Sequence, residues 1–320
     1  MHESRLGPRD GSGGKSRIES NDTDNCEESQ VGQVSGYTKE SIRRSLPKLV
    51  QNLPALPEVI SSLVRELDNA EVSAGAIEKL IARDAALSAR TLRVVNSAYY
   101  GLQSQVDNLS NAIVILGIQQ IRNIVLSIAA MNLFKASGPR MRTMHLHCWK
   151  LSLGAAASSQ ILARKARLTV SEVDVAYIGG LLHGIGRLFL LTNFPEVYLK
   201  LSSDHGFDSP EFAEAEHDLF GLSYAEMGSE LATHWKLPST LVAAIGSSGG
   251  PWSEQEAASS HAVFTGVQMA RAFVNERELP FSDVLPTVTK LGLTEEIVVA
   301  AMEQANQFLE CNMSSLAAAA

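Results

Sequence analysis

The chain has 320 residues, 45% of them hydrophobic and 19% charged, with a formal net charge of −8. That balance suits a globular protein of one large or two modest domains and excludes fibrous and low-complexity classes. It also argues against a nucleic-acid surface, which needs a clustered basic face to release phosphate counterions.

Residues 1–38 are rich in Gly, Ser, Asp, Glu and Asn and nearly devoid of large apolar side chains. Such a segment cannot bury enough surface to offset the entropy of ordering it, and is expected to be a disordered polar tail. Its Gly11-Ser12-Gly13-Gly14-Lys15-Ser16 imitates the end of a phosphate loop, but the first glycine of that motif would fall on Arg9 and no apolar strand leads in. From about Thr38 the pattern is helical almost throughout. Pro57 suits a first helical turn ahead of Val59, Ile60, Leu63, Val64 and Leu67. Ile77, Leu80 and Ile81 mark a shorter helix, and Asp84 precedes one carrying Leu87, Thr91, Leu92 and Val95. Ile118, Ile121, Ile124, Val125, Ile128 and Leu133 describe a broad buried face, and Ser137-Gly138-Pro139 is expected to stop that helix. A second helical block begins near Met144 and runs through the alanine-rich 153–163. It continues over 175–191, 212–220, 224–235 and a short helix after Leu237-Pro238. Gly246 to Gly250, closed by Pro251, reads as a loop. Helices over 257–274 and 294–308 follow, the latter N-capped by Thr294, and residues 311–320 are expected to fray. No alternating strand pattern is strong enough for a sheet, so the fold class is all-α.

Cys26, Cys148 and Cys311 form no ligand cluster, which fits free thiols in a reducing compartment. No secretory signal is evident, and no uninterrupted apolar run reaches the ~18 residues of a membrane span. The sequence thus predicts a cytoplasmic protein with no membrane contact.

Several segments occur in an ordered series. They are Leu53-Pro54-Ala55-Leu56-Pro57, Ile81-Ala82-Arg83-Asp84-Ala85-Ala86-Leu87, Val95-Asn96-Ser97-Ala98-Tyr99-Tyr100-Gly101 and Ala112-Ile113-Val114-Ile115-Leu116-Gly117. Gly179-Gly180-Leu181-Leu182-His183-Gly184-Ile185-Gly186, the stretch from Phe220 to Gly228, and Trp235-Lys236-Leu237-Pro238 complete it. Together they resemble the HDOD domain, a bacterial signalling relative of the HD phosphohydrolases, over roughly residues 46–309. The resemblance implies a domain over 39–310 in which an N-terminal helical subdomain (39–140) packs on a C-terminal HD-like bundle (141–310). It also implies regulation, often without demonstrable catalysis.

An HD phosphohydrolase uses about three imidazoles and two carboxylates to hold metal and acidify a water. In the pattern that the resemblance implies, the first histidine falls on Leu151, the His-Asp pair on His183 and Gly184, and the later histidines on Gly246 to Ser248. The closing aspartate would lie near Val267, where no acidic residue occurs. One ligand of the set survives, so neither a catalytic residue nor a metal or other cofactor is expected. His147 lies one helical turn from Leu151, about 5 to 6 Å away, too far to replace it. His183 is expected to hold the turn by bonding a backbone carbonyl, and Gly184 and Gly186 to permit close helix packing or a positive φ rather than to cradle phosphate. Asn96 and Ser97 can satisfy a helix end before a left-handed Gly101, while Tyr99 and Tyr100 with Asn96 alternatively offer a partner surface. Trp149 and Trp235 read as core anchors.

The leading functional expectation is a non-catalytic signalling module that binds another signalling protein, with self-association left open. The alternative is a nucleotide or metabolite sensor using the emptied cleft of Leu151, His183, Gly184, Gly246 and Ser247, with Arg187 and Lys150 as nearby cations. A phosphohydrolase with a non-standard site is the third reading.

Overall fold

A computed structural model describes residues 37–53, 55–65 and 74–317, and within them the chain is all-helical with no β-strand. The expected disordered tail lies outside the described residues except for Tyr37 and Thr38. Thr38 is no tail residue: its Oγ1 accepts from Ser41 N (3.2 Å) and caps α1 (Lys39–Gln51). Helices α2 (Glu58–Arg65), α3 (Ala74–Ala82), α4 (Ala85–Val95), α5 (Leu109–Leu116) and α6 (Ile118–Met131) complete the N-terminal half. Asp84 caps α4 through Ala86 N and Leu87 N, as its position suggests. Helices α5 and α6 meet at 119° across Gly117, whose φ of +83° is open to glycine and strained for other residues.

The expected stop at Pro139 is also a start. Proline lacks an N–H, so it fits the first turn of α7 (Pro139–Lys165), the 27-residue spine of the molecule. Its small buried residues, Gly154 to Ser159, let α8 (Val170–Leu182) and α14 (Ala258–Val274) approach closely. The apolar run expected over 175–191 is two helices, α8 and α9 (Ile185–Asn193), broken at His183-Gly184. The span Val170–Asn193 has the length and hydropathy to cross a membrane, contrary to the sequence reading, but 94% of its most apolar window is buried inside the protein. Then come α10 (Pro195–His205), α11 (Pro210–Phe220), α12 (Tyr224–His234), α13 (Ser239–Gly246), α15 (Phe281–Lys290) and α16 (Glu295–Ala317). The expected loop after Gly246 contains a 3₁₀ turn, Ser247–Gly249.

Buried polar contacts join the two halves: Arg122 on α6 pairs with Asp174 on α8, and the hydroxyls of Ser127 and Tyr177 lie 2.8 Å apart. Arg43 on α1 donates to the backbone carbonyls of Leu219 and Asp218 at the C-terminus of α11, where a cation meets the negative end of the helix dipole. The last helix does not stop at 310. Asn312 is fully buried, and its Oδ1 accepts from Ser97 Oγ (3.0 Å), while Phe308 packs edge-on against Tyr99 (5.0 Å). Helix α16 thus closes onto the N-terminal helices.

Candidate functional site

Four of the positions expected to line an open cleft are inside the protein. Leu151, His183 and Arg187 are at most 4% exposed, and Gly184 is buried with them. His183 ends α8 with its Nδ1 2.7 Å from Gly180 O, the turn-holding bond expected of it. A Cβ on Gly184 would lie 3.2 Å from Ser152 Oγ of α7, so this position faces a neighbouring helix. Gly246 and Ser247 are half-buried at the end of α13, where Ser247 Oγ donates back to Ala243 O in the last turn of that helix.

Arg187 was expected to be a cation available to a ligand. Instead its Nε and Nη2 donate to Oε1 (3.1 Å) and Oε2 (2.9 Å) of Glu216, and its Nη1 donates to Oδ1 of Asp208. Its guanidinium lies 4.5 Å from the Tyr224 ring centroid and 5.4 Å from that of Phe212. Tyr198 Oη donates to Glu216 Oε1, and Asn275 Nδ2 donates to Asp208 Oδ2 (3.0 Å). Arg271 Nη2 reaches Asp208 Oδ1 (3.5 Å) and Tyr224 Oη (3.4 Å). His147, set aside as a metal ligand, lies 3.9 Å from Asp208 Oδ2. Two guanidinium groups therefore face two carboxylates in a closed, charge-balanced cluster contributed by α9, α11, α14 and the loop before α11.

Sequence reasoning found Arg187 and missed Asp208, Glu216, Tyr198, Tyr224, Arg271 and Asn275. One signal was present for Glu216. It lies four residues from both Phe212 and Phe220, on the apolar face of α11, where an acid needs a buried partner.

The donor set does not fit a catalytic metal. Leu151 and Gly184 offer no donor atom, and both carboxylates are held by arginine. Among the described residues no group of three or more His, Cys, Asp and Glu side chains is placed to hold an ion.

Burial pushes the His183 imidazole down to about 4 in spite of its bond to Gly180, with Arg271 and Arg187 acting in the same direction. Burial alone would raise the Asp208 carboxyl, but Arg271, His147, Arg187 and Asn275 together hold it well below the usual carboxylate range. Both shifts act on the acid side. Unfolded histidine takes up its proton near 6.5, so between about 6.5 and 4 the unfolded chain binds more protons and stability falls as pH falls. Asp208 adds a further loss below about 4, where the unfolded carboxyl protonates and the folded one resists. Stability measured by urea unfolding across pH 7.5 to 4.5 should fall by on the order of 3 kcal/mol from His183. The variant His183→Gln should flatten that limb, and an unchanged pH slope would remove His183 as its source.

The Asn96, Tyr99 and Tyr100 set, offered above as a partner surface, is engaged within the chain. Asn96 Nδ2 donates to Leu92 O and Val106 O (both 2.8 Å), and its Oδ1 accepts from Val106 N (2.8 Å). Tyr99 stacks edge-on against Tyr100 and Phe308, and Tyr100 Oη accepts from Gln120 Nε2 (2.9 Å). Asn96→Ala would leave the Val106 N–H and C=O without these partners. It should lower stability by about 1–3 kcal/mol, read as a fall in the thermal midpoint.

The HDOD domain family model matches residues 53–250, more than half of the chain. A solved HDOD domain protein of unknown function from Geobacter sulfurreducens is 20% identical, with a TM-score of 0.69 over 87% of this chain and 98% of that one. A candidate phosphohydrolase from Shewanella amazonensis SB2B is 25% identical, with a TM-score of 0.66 over 85% of this chain and 98% of that one. An uncharacterized protein of Treponema pallidum (strain Nichols) is 24% identical over 201 residues, which are 63% of this chain. The match spans only 38% of that relative's length.

Proposed function

The chain belongs to the HDOD domain family, and on that premise we propose that it is a non-catalytic module of bacterial signal transduction that acts by binding another protein. The observation that carries the reading is the pairing of both site carboxylates. With Glu216 held by Arg187, and Asp208 by Arg187 and Arg271, neither carboxylate of the cluster is free to hold a metal and acidify a water. The charge-balanced cluster also leaves no surplus cation to draw a phosphate inward. A cytoplasmic setting belongs to the same proposal, since Cys148 and Cys311 are both free.

A binding module needs an exposed contact face, and the α5–α6 corner offers one. Val114 is 83% exposed and its neighbour Ile115 52%. The test has two arms, both on the full chain. Hydrolysis of bis(4-nitrophenyl) phosphate with added Mn²⁺ should not rise above the protein-free rate. Metal-dependent turnover that disappears in His183→Ala would overturn the non-catalytic reading and favour the chemistry for which the Shewanella relative is named. Tagged protein recovered from its source cells should retain a near-stoichiometric partner. Recovery should drop by about tenfold in the double variant Val114→Asp, Ile115→Asp with helicity unchanged. Absence of any enriched protein would overturn the binding reading, whereas an untagged second copy of this chain would identify the partner as the chain itself.

A further inference from the structure

At the elbow between α6 and α7 lies a groove of about 450 Å³, a volume typical of small-molecule sites. Its walls are apolar, built from Met131, Phe134, Leu146 and Trp149. Lys135 and Arg142 stand on its rim, and no acidic residue lines it. Both are exposed, and neither has a carboxylate partner among the described residues.

The aromatic rings of Phe134, His145 and Trp149 favour a flat apolar body, and the two free cations favour a negative charge at its end.

We propose that this groove binds a small aromatic carboxylate, its ring against Phe134 and Trp149 and its carboxylate between Lys135 and Arg142. The site shares no residue with the Arg187 cluster and does not depend on the functional reading above. It would make the elbow between the two helical halves responsive to a metabolite.

The test is calorimetric titration of the full chain at low ionic strength with 2-naphthylacetate, and with the neutral 2-naphthylacetamide as its match. The acid should bind saturably and about tenfold tighter than the amide, a difference of about 1.4 kcal/mol. The double variant Lys135→Gln, Arg142→Gln should reduce the acid to the affinity of the amide. Leu146→Asp, at a position 39% exposed, should abolish acid binding by placing a like charge at the mouth while leaving the fold intact. Absence of saturable binding at millimolar acid would overturn the proposal. So would equal affinity for acid and amide, or undiminished acid binding in both sets of variants.

Discussion

Replacing Arg187 with alanine should cost about 3–5 kcal/mol of folding stability, a large fraction of what a domain of ordinary stability possesses. The reason lies in what remains. Glu216 is 1% exposed and loses the one cation it pairs with among the described residues, keeping the Tyr198 hydroxyl. Asp208, 5% exposed, retains Arg271 and Asn275 but loses the short Nη1 contact. An uncompensated buried carboxylate must either protonate or draw water into the core, and both are unfavourable. The guanidinium also leaves the face of Tyr224, removing packing as well as charge. The double variant Arg187→Met, Glu216→Gln should recover a good part of the loss, because the Gln amide can still bond Tyr198 and no lone charge is stranded. Urea unfolding of wild type, single and double variants measures this directly. A loss below about 1 kcal/mol in Arg187→Ala would mean that the carboxylates are solvated and the cluster is not closed.

The second large effect is expected at Gly186. A Cβ there would fall 2.0 Å from Tyr224 O and 2.5 Å from Gly228 N, both backbone atoms of the start of α12. No rotamer change relieves a clash with backbone, so α9 and α12 must separate. The separation would also pull Arg187 away from the Tyr224 ring. Gly186→Ala should therefore lose about 3 kcal/mol or more. Gly184→Ala is the internal control. Its Cβ meets only Ser152 Oγ, at 3.2 Å, and its φ of −86° suits any residue, so a loss below about 1 kcal/mol is expected. Parallel thermal melts compare the two. Equal midpoints would contradict the close approach of α9 and α12.

Parts of this architecture were legible residue by residue. The apolar period of α6, the Asp84 cap and the ordered segments of the family needed only local information. Apolar stripes and caps are written within one or two helical turns. The turn at His183-Gly184 was legible from its imidazole and glycines, but that it divides the apolar run into two helices was not, because apolar helical residues flank it on both sides. The last helix was cut short for a related reason: the burial of Asn312 depends on Ser97, more than two hundred residues earlier, and nothing in the local sequence announces that contact.

The sequence by itself determined the all-helical class, which follows from side-chain identity and spacing. A leucine at 151 or a glycine at 184, the positions that the family resemblance aligns with metal ligands, cannot ligate wherever it is placed. The sequence also carried a hint of the buried cluster, since Arg187 stands in an apolar run and Glu216 on the apolar face of α11. A charge in such a place requires a counter-charge, but the local sequence does not say which. Only the tertiary structure paired Arg187 with a carboxylate 29 residues away and set Arg271 beside Asp208, because ion pairing depends on distance in space, and packing between helices decides that distance.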